Sequence, residues 1–314
     1  MIVISKRVGR LANRMLLFAH FMGAALEHGF VVLNPAFGPF HSRYFPTTAR
    51  DLLCRFPPGR GAPPFPFGRE VLYAATRSLG EGLHHLQRLG LDVGLVRLRR
   101  DQHVDLNSDA FLDVVRRHRV VLVHDWFFRN AGNVARHRGR IRAYFTPWEH
   151  HLGRARTAVE PARRRDRLAV GVHVRQDDYR RFKGGRFFFR HDQYRRVMAS
   201  VEAAFPERDI SFLVCSDAPV PPGAFPGLDV LPGPRHELED LYALAHCDLI
   251  VGPPSTYSRW ASYWGDAPLY VVTDPDEPVS TEAFHVATNL DWDRDPAGWA
   301  SAAPPADGVE LVSE

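Results

Sequence analysis

The stretch Val172-His173-Val174-Arg175-Gln176-Asp177-Asp178-Tyr179 follows directly on the apolar run Leu168-Ala169-Val170-Gly171. An apolar, β-branched run that ends in an arginine and two carboxylates is typical of a buried strand whose carboxyl end opens into a cleft, where parallel sheets bind ligands. Arg175 suits a phosphate there, because its guanidinium stays charged and its planar fork matches phosphate oxygens. His173 is predicted on the same side of the strand. The other interpretation is a solvated charge cluster.

Composition sets wide bounds on function. The 314 residues are 45% hydrophobic, a length and composition typical of about two globular domains. The net charge of +4 comes from short arginine clusters and is offset by 36 acidic residues. The sequence has no recognition helix, zinc finger or aromatic RNA-binding signature, so nucleic acid is a weak prediction. A phosphorylated small molecule or an anionic membrane surface explains the charge equally well.

Cysteine usage and hydropathy predict a reduced, cytoplasmic protein. The three cysteines cannot all pair, and Cys215 and Cys247 lie inside apolar runs that look like buried strands. The amino terminus enters a strand without the apolar run of a signal peptide, and no run of about 18 apolar residues occurs. We therefore predict no transmembrane anchor, and basic clusters that allow peripheral contact with the inner membrane face.

The second half of the chain alternates short strands with helices. We predict strands at 168–174, 211–215, 228–231, 248–251 and 269–272, and helices at 192–204, 236–246 and 255–264. Segments of this length and spacing are typical of a doubly wound parallel sheet. Right-handed crossovers place the carboxyl ends of the strands along one edge.

The first half also opens as an α/β unit. A strand at 2–4, a loop containing Gly9 and a helix at 15–28 ended by Gly29 are predicted in sequence. Further predictions are strands at 31–33 and 120–123, an irregular loop at 56–68, a helix at 83–98 and a weakly ordered tail at 301–314. A helix from Thr146, as N-cap, to about 159 marks the boundary. The predicted domains are 1–160 and 161–314.

Three further polar groups fall on the strand-end edge of the second domain. Ser216-Asp217 follows a strand, Asp240 lies early in a helix, and Ser255-Thr256 stands at a strand-to-helix turn. Hydroxyls beside a helix N-terminus make an anion site, although an ordinary N-cap is the simpler interpretation of Ser255 alone. Together with Arg175, these groups match a nucleoside diphosphate: charge for the phosphates and a carboxylate acceptor for the amino and imino groups of guanine.

The commonest nucleotide and metal motifs are missing from the sequence. No G-x-G-x-x-G follows a predicted strand, and no G-x-x-x-x-G-K-[ST] occurs. Asp274 and Asp276, and likewise Asp291 and Asp293, have a spacing that could share a cation, but their loops favour solvated turns. The adjacent pairs 84–85 and 150–151 of histidines diverge on a helix and are predicted as surface or interface residues. We predict no metal site.

Four motifs in order resemble a known family, the bacterial GDP-fucose-dependent α-1,2-fucosyltransferases (glycosyltransferase family 11), and its superfamily of α-1,6- and protein O-fucosyltransferases. The opening G-x-L-x-N pattern is matched at Gly9, Leu11 and Asn13. The H-x-R-R-G-D-Y pattern is matched at His173, Arg175, Asp178 and Tyr179. A strand ending in Ser-Asp is matched at Ser216 and Asp217, and a late D-L…C…S-S-aromatic-S…W pattern at Asp240, Leu241, Cys247, Ser255, Thr256, Tyr257, Ser258 and Trp260.

The resemblance implies an α/β fold of the GT-B type, with two Rossmann-like domains facing across a cleft. The first domain would bind the acceptor and the second the nucleotide sugar. It also implies inverting, metal-independent transfer of fucose from GDP-fucose to a glycan hydroxyl, with no cofactor besides this donor substrate. The glycan acceptor would be free or lipid-linked, and nucleic acid is not an expected partner.

The resemblance also implies roles for the site residues. Arg175 would stabilise charge on the leaving diphosphate, with help from Ser255, Thr256 and the helix N-terminus. His173 and Asp240 would contact guanine and ribose, Ser216 and Asp217 would line the nucleotide site, and Gly9 and Asn13 would shape the cleft. The base for the acceptor hydroxyl stays open among Asp178, Asp177, Asp125 and Glu149.

The sequence departs from the family pattern beside the predicted diphosphate. Gln176 and Asp177 stand where the family has a second Arg and a Gly, and Pro254 replaces the usual Asn. Three alternatives to the fucosyltransferase stay open. They are a GT-B transferase that uses another sugar nucleotide, a non-catalytic glycan-binding subunit of a polysaccharide assembly system, and a nucleic-acid-binding protein, which only the charge suggests.

Overall fold

The computed structural model describes residues 1–59, 61–86, 92–98 and 103–290. The chain divides into two compact units. Unit 1 contains Met1–Trp148 together with Asn289 and Leu290, and unit 2 contains Glu149–Thr288. Each unit is built on a parallel sheet with helices. The predicted α/β class, with two Rossmann-like sheets, is therefore confirmed.

Unit 1 is organised around the short strand that opens the chain. Its strands are β1 Ile2–Ile4, β2 Val32–Leu33, β3 Val93–Val96, β4 Val104–Asp105, β5 Val120–Val123 and β6 Phe128–Arg129. Its helices are α1 Leu11–His28, α2 Pro46–Ala49, α3 Gly68–Leu86, α4 Asp109–Arg117, α5 Ala131–Arg136 and α6 Arg138–Tyr144. The main sheet has the order β2-β1-β5-β3, and β4 pairs with β6. All these pairings are parallel.

Helix α1 is apolar on most of its surface and is accordingly buried along most of its length. It ends at Gly29, whose φ of 73° is left-handed and whose N–H donates to the Ala25 carbonyl. A residue without a Cβ is favoured in that conformation. The predicted helix stop at Gly29 is therefore confirmed, and the helix begins four residues before the predicted start, at Leu11.

Unit 2 has a five-stranded parallel sheet. Its strands are β7 Leu168–Val174, β8 Ile210–Ser216, β9 Val230–Pro232, β10 Leu249–Gly252 and β11 Leu269–Val271, in the order β11-β10-β7-β8-β9. Its helices are α7 Glu149–Val159, α8 His191–Ala204, α9 Glu237–Ala245 and α10 Thr256–Gly265. Central β7 is buried on both faces, as the apolar run predicts. In this order β8 and β10 lie on either side of β7. Because the strands are parallel, the carboxyl end of β7 lies between the carboxyl ends of β8 and β10.

Two sequence-based expectations in unit 1 are wrong. The segment predicted as a helix at 83–98 contains the end of α3 and then strand β3, because the apolar run Val93–Val96 pairs with β5 instead of continuing a helix. A short apolar run has no periodicity that separates the two states. Thr146 is not the N-cap of α7: its hydroxyl donates to the Arg142 carbonyl at 3.1 Å, at the end of α6.

The unit boundary also differs from the predicted 160/161. Helix α7 belongs to unit 2, since His151 and Arg154 of this helix both bind Glu239 of α9. Leu290, at the other end, is fully buried and belongs to unit 1. The predicted tail at 301–314, Asp291 and Asp293 lie outside the described residues. Among the described helices, none has the length and apolar character to cross a membrane. The three cysteines are buried and free.

Gly171, in the middle of β7, lets α9 pack closely on the sheet. A Cβ built there would lie 2.7 Å from Leu244 Cδ2 and 3.0 Å from Cys247 Sγ. We expect Gly171→Ala to lower the free energy of unfolding by about 1 to 3 kcal/mol, because the core must shift to admit a methyl group. The matched control is Gly153→Ala in α7, where no atom lies within 4 Å of the new Cβ.

Helix propensity predicts that Gly153→Ala raises stability by up to about 1 kcal/mol. Urea unfolding of the two variants beside the wild type measures both effects. Equal stabilities of the two variants would contradict the close approach of α9 to β7.

Candidate functional site

The carboxyl ends of β7 and β8 place two oppositely charged side chains side by side. In the register of these strands, Val174 is opposite Ser216. Arg175 is the first residue after β7, and Asp217 is the first residue after β8. The Arg175 Nη1 lies 3.2 Å from the Asp217 Oδ2. Both side chains are nearly buried, at 11% and 12% exposed. The predicted meeting of polar groups at this edge is present.

Arg175 is held from several sides. Its second Nη atom forms an ion pair with Asp178, three residues on. Its guanidinium lies over the Tyr179 ring, 4.8 Å from the centroid, and its backbone N–H donates to the Tyr194 hydroxyl at 3.2 Å. A guanidinium fixed by packing loses less conformational freedom when an anion binds. Arg175 is thus preorganised at the strand end.

The two carboxylates around Arg175 have different roles. Asp217 is fixed in place, because its Oδ1 also accepts the backbone N–H of Gln176 at 2.8 Å and that of Asp177 at 3.4 Å. Asp178 is 47% exposed. Ion pairs that reach solvent are weak, so an incoming anion would replace Asp178 more easily than Asp217 at the guanidinium.

Gln176 takes no part in anion binding in this arrangement. Its side-chain amide is buried and donates to the Phe189 carbonyl at 2.7 Å and to the Arg175 carbonyl at 3.2 Å. The residue that replaces the second arginine of the family pattern therefore anchors the loop to the segment before α8. Nearby, the Arg180 guanidinium lies over the Phe188 ring at 4.6 Å.

His173 links β7 to the start of α10. Its Nδ1 lies 2.7 Å from the Ser258 Oγ, and its ring stacks on Tyr257 with centroids 4.7 Å apart. Burial lowers the pKa of His173 well below its usual value of 6.5, with the Arg175 charge adding to the effect. The imidazole is therefore neutral near pH 7 and supports the site by hydrogen bonding instead of charge.

The turn from β10 into α10 brings a helix N-terminus to the same edge. Ser255 caps the helix, with its Oγ accepting the Tyr257 N–H at 3.2 Å, and Thr256 is the first helical residue. The Tyr179 hydroxyl donates to the Pro254 carbonyl at 2.5 Å, which ties this turn to the loop after β7. Helix N-termini favour anions. Ser255 is thus an N-cap, and it also lies beside the Arg175 loop.

A pocket of about 540 Å³ opens beside these strand ends in unit 2. Ser216, Asp217 and Asp240 line it, together with Gly233, Arg235 and a loop of mostly Pro and Ala at 218–225. Asp240 is 6% exposed, and its Oδ1 accepts the Arg235 backbone N–H at 2.8 Å. Burial raises the pKa of Asp240 from 3.8 to about 6. The pocket therefore contains a carboxylate that is ionised near neutral pH.

Gly9 and Asn13 contact each other in unit 1. Gly9 has a left-handed φ of 50°, and a Cβ there would lie 1.9 Å from the Asn13 Nδ2. Arg14 donates to the Gly9 carbonyl at 3.3 Å and to the Phe37 carbonyl at 3.1 Å. A side chain at position 9 would clash with Asn13 and would be strained at this φ, so glycine is favoured there.

The structure describes the surroundings of the other acidic candidates. Asp125 pairs with Lys6 at 3.6 Å in unit 1, and Glu149 pairs with Arg156 at 2.9 Å with its side chain 76% exposed. Asp276 forms an ion pair with Arg196. Its backbone N–H donates to the Oδ1 of Asp274, and this hydrogen bond closes a turn. These contacts are those of surface ion pairs and turns.

Sequence reasoning missed the residues that support the site from other segments. Tyr194 of α8 binds the Arg175 backbone, and Phe189 receives the Gln176 amide. A lone tyrosine in an amphipathic helix carries no signal of such a role. Arg235 contributes a backbone N–H to Asp240, which depends on loop geometry and not on residue type.

Comparison with known proteins gives structural matches only. No protein-family model and no curated protein matches the sequence. A mutant of Arabidopsis thaliana FUT1 in complex with GDP matches with a TM-score of 0.54 at 12% identity, over 92% of this chain and 74% of that one. Fucosyltransferase NodZ from Bradyrhizobium matches with a TM-score of 0.53 at 16% identity, over 88% and 96%. NodZ α-1,6-fucosyltransferase soaked with GDP-fucose matches with a TM-score of 0.51 at 16% identity, over 88% of this chain and 97% of that one.

At these identities the matches show a shared fold. The chain has the Rossmann-like α/β fold of these fucosyltransferases over most of its length. Membership of glycosyltransferase family 11, which the motifs predict, stays a prediction.

The raised pKa of Asp240 makes stability depend on pH in a defined direction. The folded state binds the Asp240 proton more tightly than the unfolded state, so this stabilisation is complete below about pH 4 and is lost as pH rises through about 6. We expect the stability of the wild type relative to Asp240→Asn to fall by about 2 to 3 kcal/mol over that range. Urea unfolding of both proteins between pH 4.5 and 7.5 measures the difference. A difference that is constant with pH would contradict the raised pKa.

Proposed function

We propose that this protein is a glycosyltransferase that transfers fucose from GDP-fucose to a hydroxyl group of a glycan. The observation that carries the proposal is the juxtaposition of Arg175, the N-terminus of α10 and the pocket containing Asp240 at one strand edge of unit 2. The fold adds support, because proteins that share it have been solved with GDP and GDP-fucose.

Arg175 would bind the diphosphate. A diphosphate oxygen would take the position of the exposed Asp178 at the guanidinium, while Asp217 keeps the guanidinium in place. The capped N-terminus of α10, with Ser255 and Thr256, adds donors and a partial positive charge. The Gln176 side chain is engaged with Phe189, so a single arginine supplies the side-chain charge in this scheme.

The pocket beside β8 would accept the nucleoside. Guanine presents its imino and amino groups as donors on one edge, and an ionised carboxylate is an acceptor with two oxygens. Asp240 is ionised above about pH 6. Ser216 and Asp217 line the same pocket, and neutral His173 would act through its contacts with Tyr257 and Ser258. We therefore assign guanine recognition to Asp240.

In the proposed reaction, the acceptor oxygen forms a bond with the anomeric carbon as the bond from that carbon to the diphosphate breaks. The configuration inverts, GDP leaves with the bonding electrons, and Arg175 and α10 stabilise its charge without a metal ion. Such stabilisation is typically worth about 3 to 4 kcal/mol per well-placed donor. The hydroxyl proton goes to a base.

We propose Asp178 as that base. Displacement from Arg175 by the diphosphate would release its carboxylate, which is 47% exposed, and this carboxylate would take the proton of the acceptor hydroxyl on the face of the anomeric carbon opposite the diphosphate. Two of the other candidates are engaged in ion pairs away from Arg175, Asp125 with Lys6 and Glu149 with Arg156, and Asp177 is left as the alternative. Unit 1, with Gly9 and Asn13, would bind the acceptor.

Calorimetric titration of the EDTA-treated protein tests donor binding. We expect GDP and GDP-fucose to bind in preference to UDP-glucose. We expect Arg175→Ala to lower the affinity for GDP by at least about tenfold, because charge-assisted hydrogen bonds to the diphosphate are lost. The matched control is Arg190→Ala, an exposed arginine paired with Asp192, which should leave affinity unchanged. Preference for a uridine nucleotide would indicate another sugar nucleotide. Equal GDP affinity of the Arg175→Ala variant and the wild type would overturn the assignment of Arg175.

Asp178→Asn separates binding from transfer. We expect this variant to bind GDP as tightly as the wild type or more tightly, since a competing carboxylate is removed, and to lose fucose transfer by about 100-fold or more. Asp177→Asn tests the exposed neighbour that the sequence also leaves open as the base, and we expect this variant to keep fucose transfer. GDP release in the presence of a glycan acceptor, followed by nuclear magnetic resonance of the anomeric proton, measures rate and inversion. Full activity of Asp178→Asn would rule out its role as base, and GDP-independent glycan binding alone would indicate a non-catalytic subunit.

A further inference from the structure

A second cluster of ionisable side chains lies in unit 2, apart from the residues that line the pocket. His151 comes from α7, His236 is the N-cap of α9, and Glu239 lies in the first turn of α9. Each offers one ligand atom, and these atoms lie within 4.8 Å of one another. The His151 Nδ1 is 2.8 Å from the Glu239 Oε1, and the rings of His151 and His236 stack with centroids 5.2 Å apart.

We propose that His151, His236 and Glu239 bind one divalent transition-metal ion, for which Zn²⁺ is the best match. Two imidazoles and a carboxylate form a donor set that suits Zn²⁺, with one coordination position left for water. The ion would join α7 to the start of α9. The ion would take no part in the chemistry of the proposed transfer reaction. As a ligand, His151 would differ from the sequence-based expectation that the histidines at 150–151 are surface or interface residues.

The hydrogen bonds of the cluster agree with metal binding. The His236 Nδ1 already presents a lone pair, because it accepts the N–H groups of Leu238 and Glu239 at 3.3 and 3.4 Å. These are long hydrogen bonds and are easily given up. The ion would take the place of the proton between His151 and Glu239, and that proton would move to the other ring nitrogen of His151.

Binding would require a small contraction of the cluster and the departure of one arginine. Zinc–nitrogen bonds of about 2.0 Å put tetrahedral ligand atoms about 3.3 Å apart, so atoms now up to 4.8 Å apart would close by up to about 1.5 Å, while the 2.8 Å His151–Glu239 pair would open by about 0.5 Å. Arg154 donates to the same Glu239 oxygen at 3.2 Å, and its side chain is 69% exposed. An exposed arginine leaves an ion pair at little cost. Arg154 therefore competes with the ion for Glu239.

The cluster contacts the proposed nucleotide site through the backbone. Arg235, which precedes His236, donates its N–H to Asp240, and Asp240 follows Glu239 in α9. An ion at the cluster would hold this segment in the conformation that presents the Asp240 carboxylate to the pocket. Occupancy by the metal ion would thus stiffen one wall of the pocket without contacting its ligand.

The test is direct metal binding by the full chain. The protein is treated with EDTA, dialysed, and titrated with Zn²⁺ by calorimetry and with Co²⁺ by visible absorption. We expect one ion per chain and the intense bands of a four-coordinate Co²⁺ site. His236→Asn keeps an N-cap residue, and Glu239→Gln keeps the shape of the side chain. Each substitution removes a ligand and should lower the Zn²⁺ affinity by about tenfold or more. Substitution of a residue that only hydrogen-bonds to a metal ligand already lowers metal affinity by about that much.

Two further variants separate a metal site from a structural hydrogen-bond cluster. Arg154→Gln removes the competing cation, and should strengthen Zn²⁺ binding. His150→Ala, the adjacent histidine, should leave it unchanged. Absence of Zn²⁺ binding by the wild type, or unchanged affinity in both His236→Asn and Glu239→Gln, would overturn the proposal. GDP titration of the same samples reports on the nucleotide site separately, so failure of one proposal is distinguishable from failure of the other.

Discussion

The ion pair between Arg175 and Asp217 is the constraint on which the candidate site depends. It exists because β7 and β8 are parallel neighbours in register, so the first residue after each strand lies beside the other. A charged pair that is nearly buried is stable only when its remaining donors and acceptors are also bound. The Asp217 Oδ1 is bound by the N–H groups of Gln176 and Asp177, and those bonds shape the loop after β7.

The same loop is joined to the next strand by aromatic side chains. Tyr179 lies under the guanidinium and donates to the Pro254 carbonyl, while His173 stacks on Tyr257. These contacts couple the positions of Arg175 and the N-terminus of α10, two groups that attract anions for different physical reasons. Preorganisation of this kind lowers the entropy lost on binding. The rigid part of the site is therefore made by residues that need not contact a ligand.

The sequence predicts unit 2 well and unit 1 less well, for a physical reason. Strand β7 is found at the predicted residues 168–174, because a long buried run with a polar end has a clear pattern. In unit 1, β3 and β6 have four and two residues, too few to show a period of their own. The predicted meeting of Arg175 and Asp217 follows from the sheet topology. The contributions of Tyr194, Phe189 and Arg235 could not be predicted, because they depend on how separate segments pack.

Gln176 stands where the pattern that the sequence resembles has a second arginine, and its buried surroundings suit an uncharged side chain. An arginine at this position would need somewhere to place its guanidinium, and the position points into the buried space beside Phe189. An uncharged amide satisfies the Phe189 carbonyl there without the cost of burying a second cation. Two carboxylates, those of Asp217 and Asp178, pair with the one guanidinium of Arg175. In the proposed binding of a diphosphate, exchange of Asp178 for a phosphate oxygen would keep this guanidinium paired at every stage.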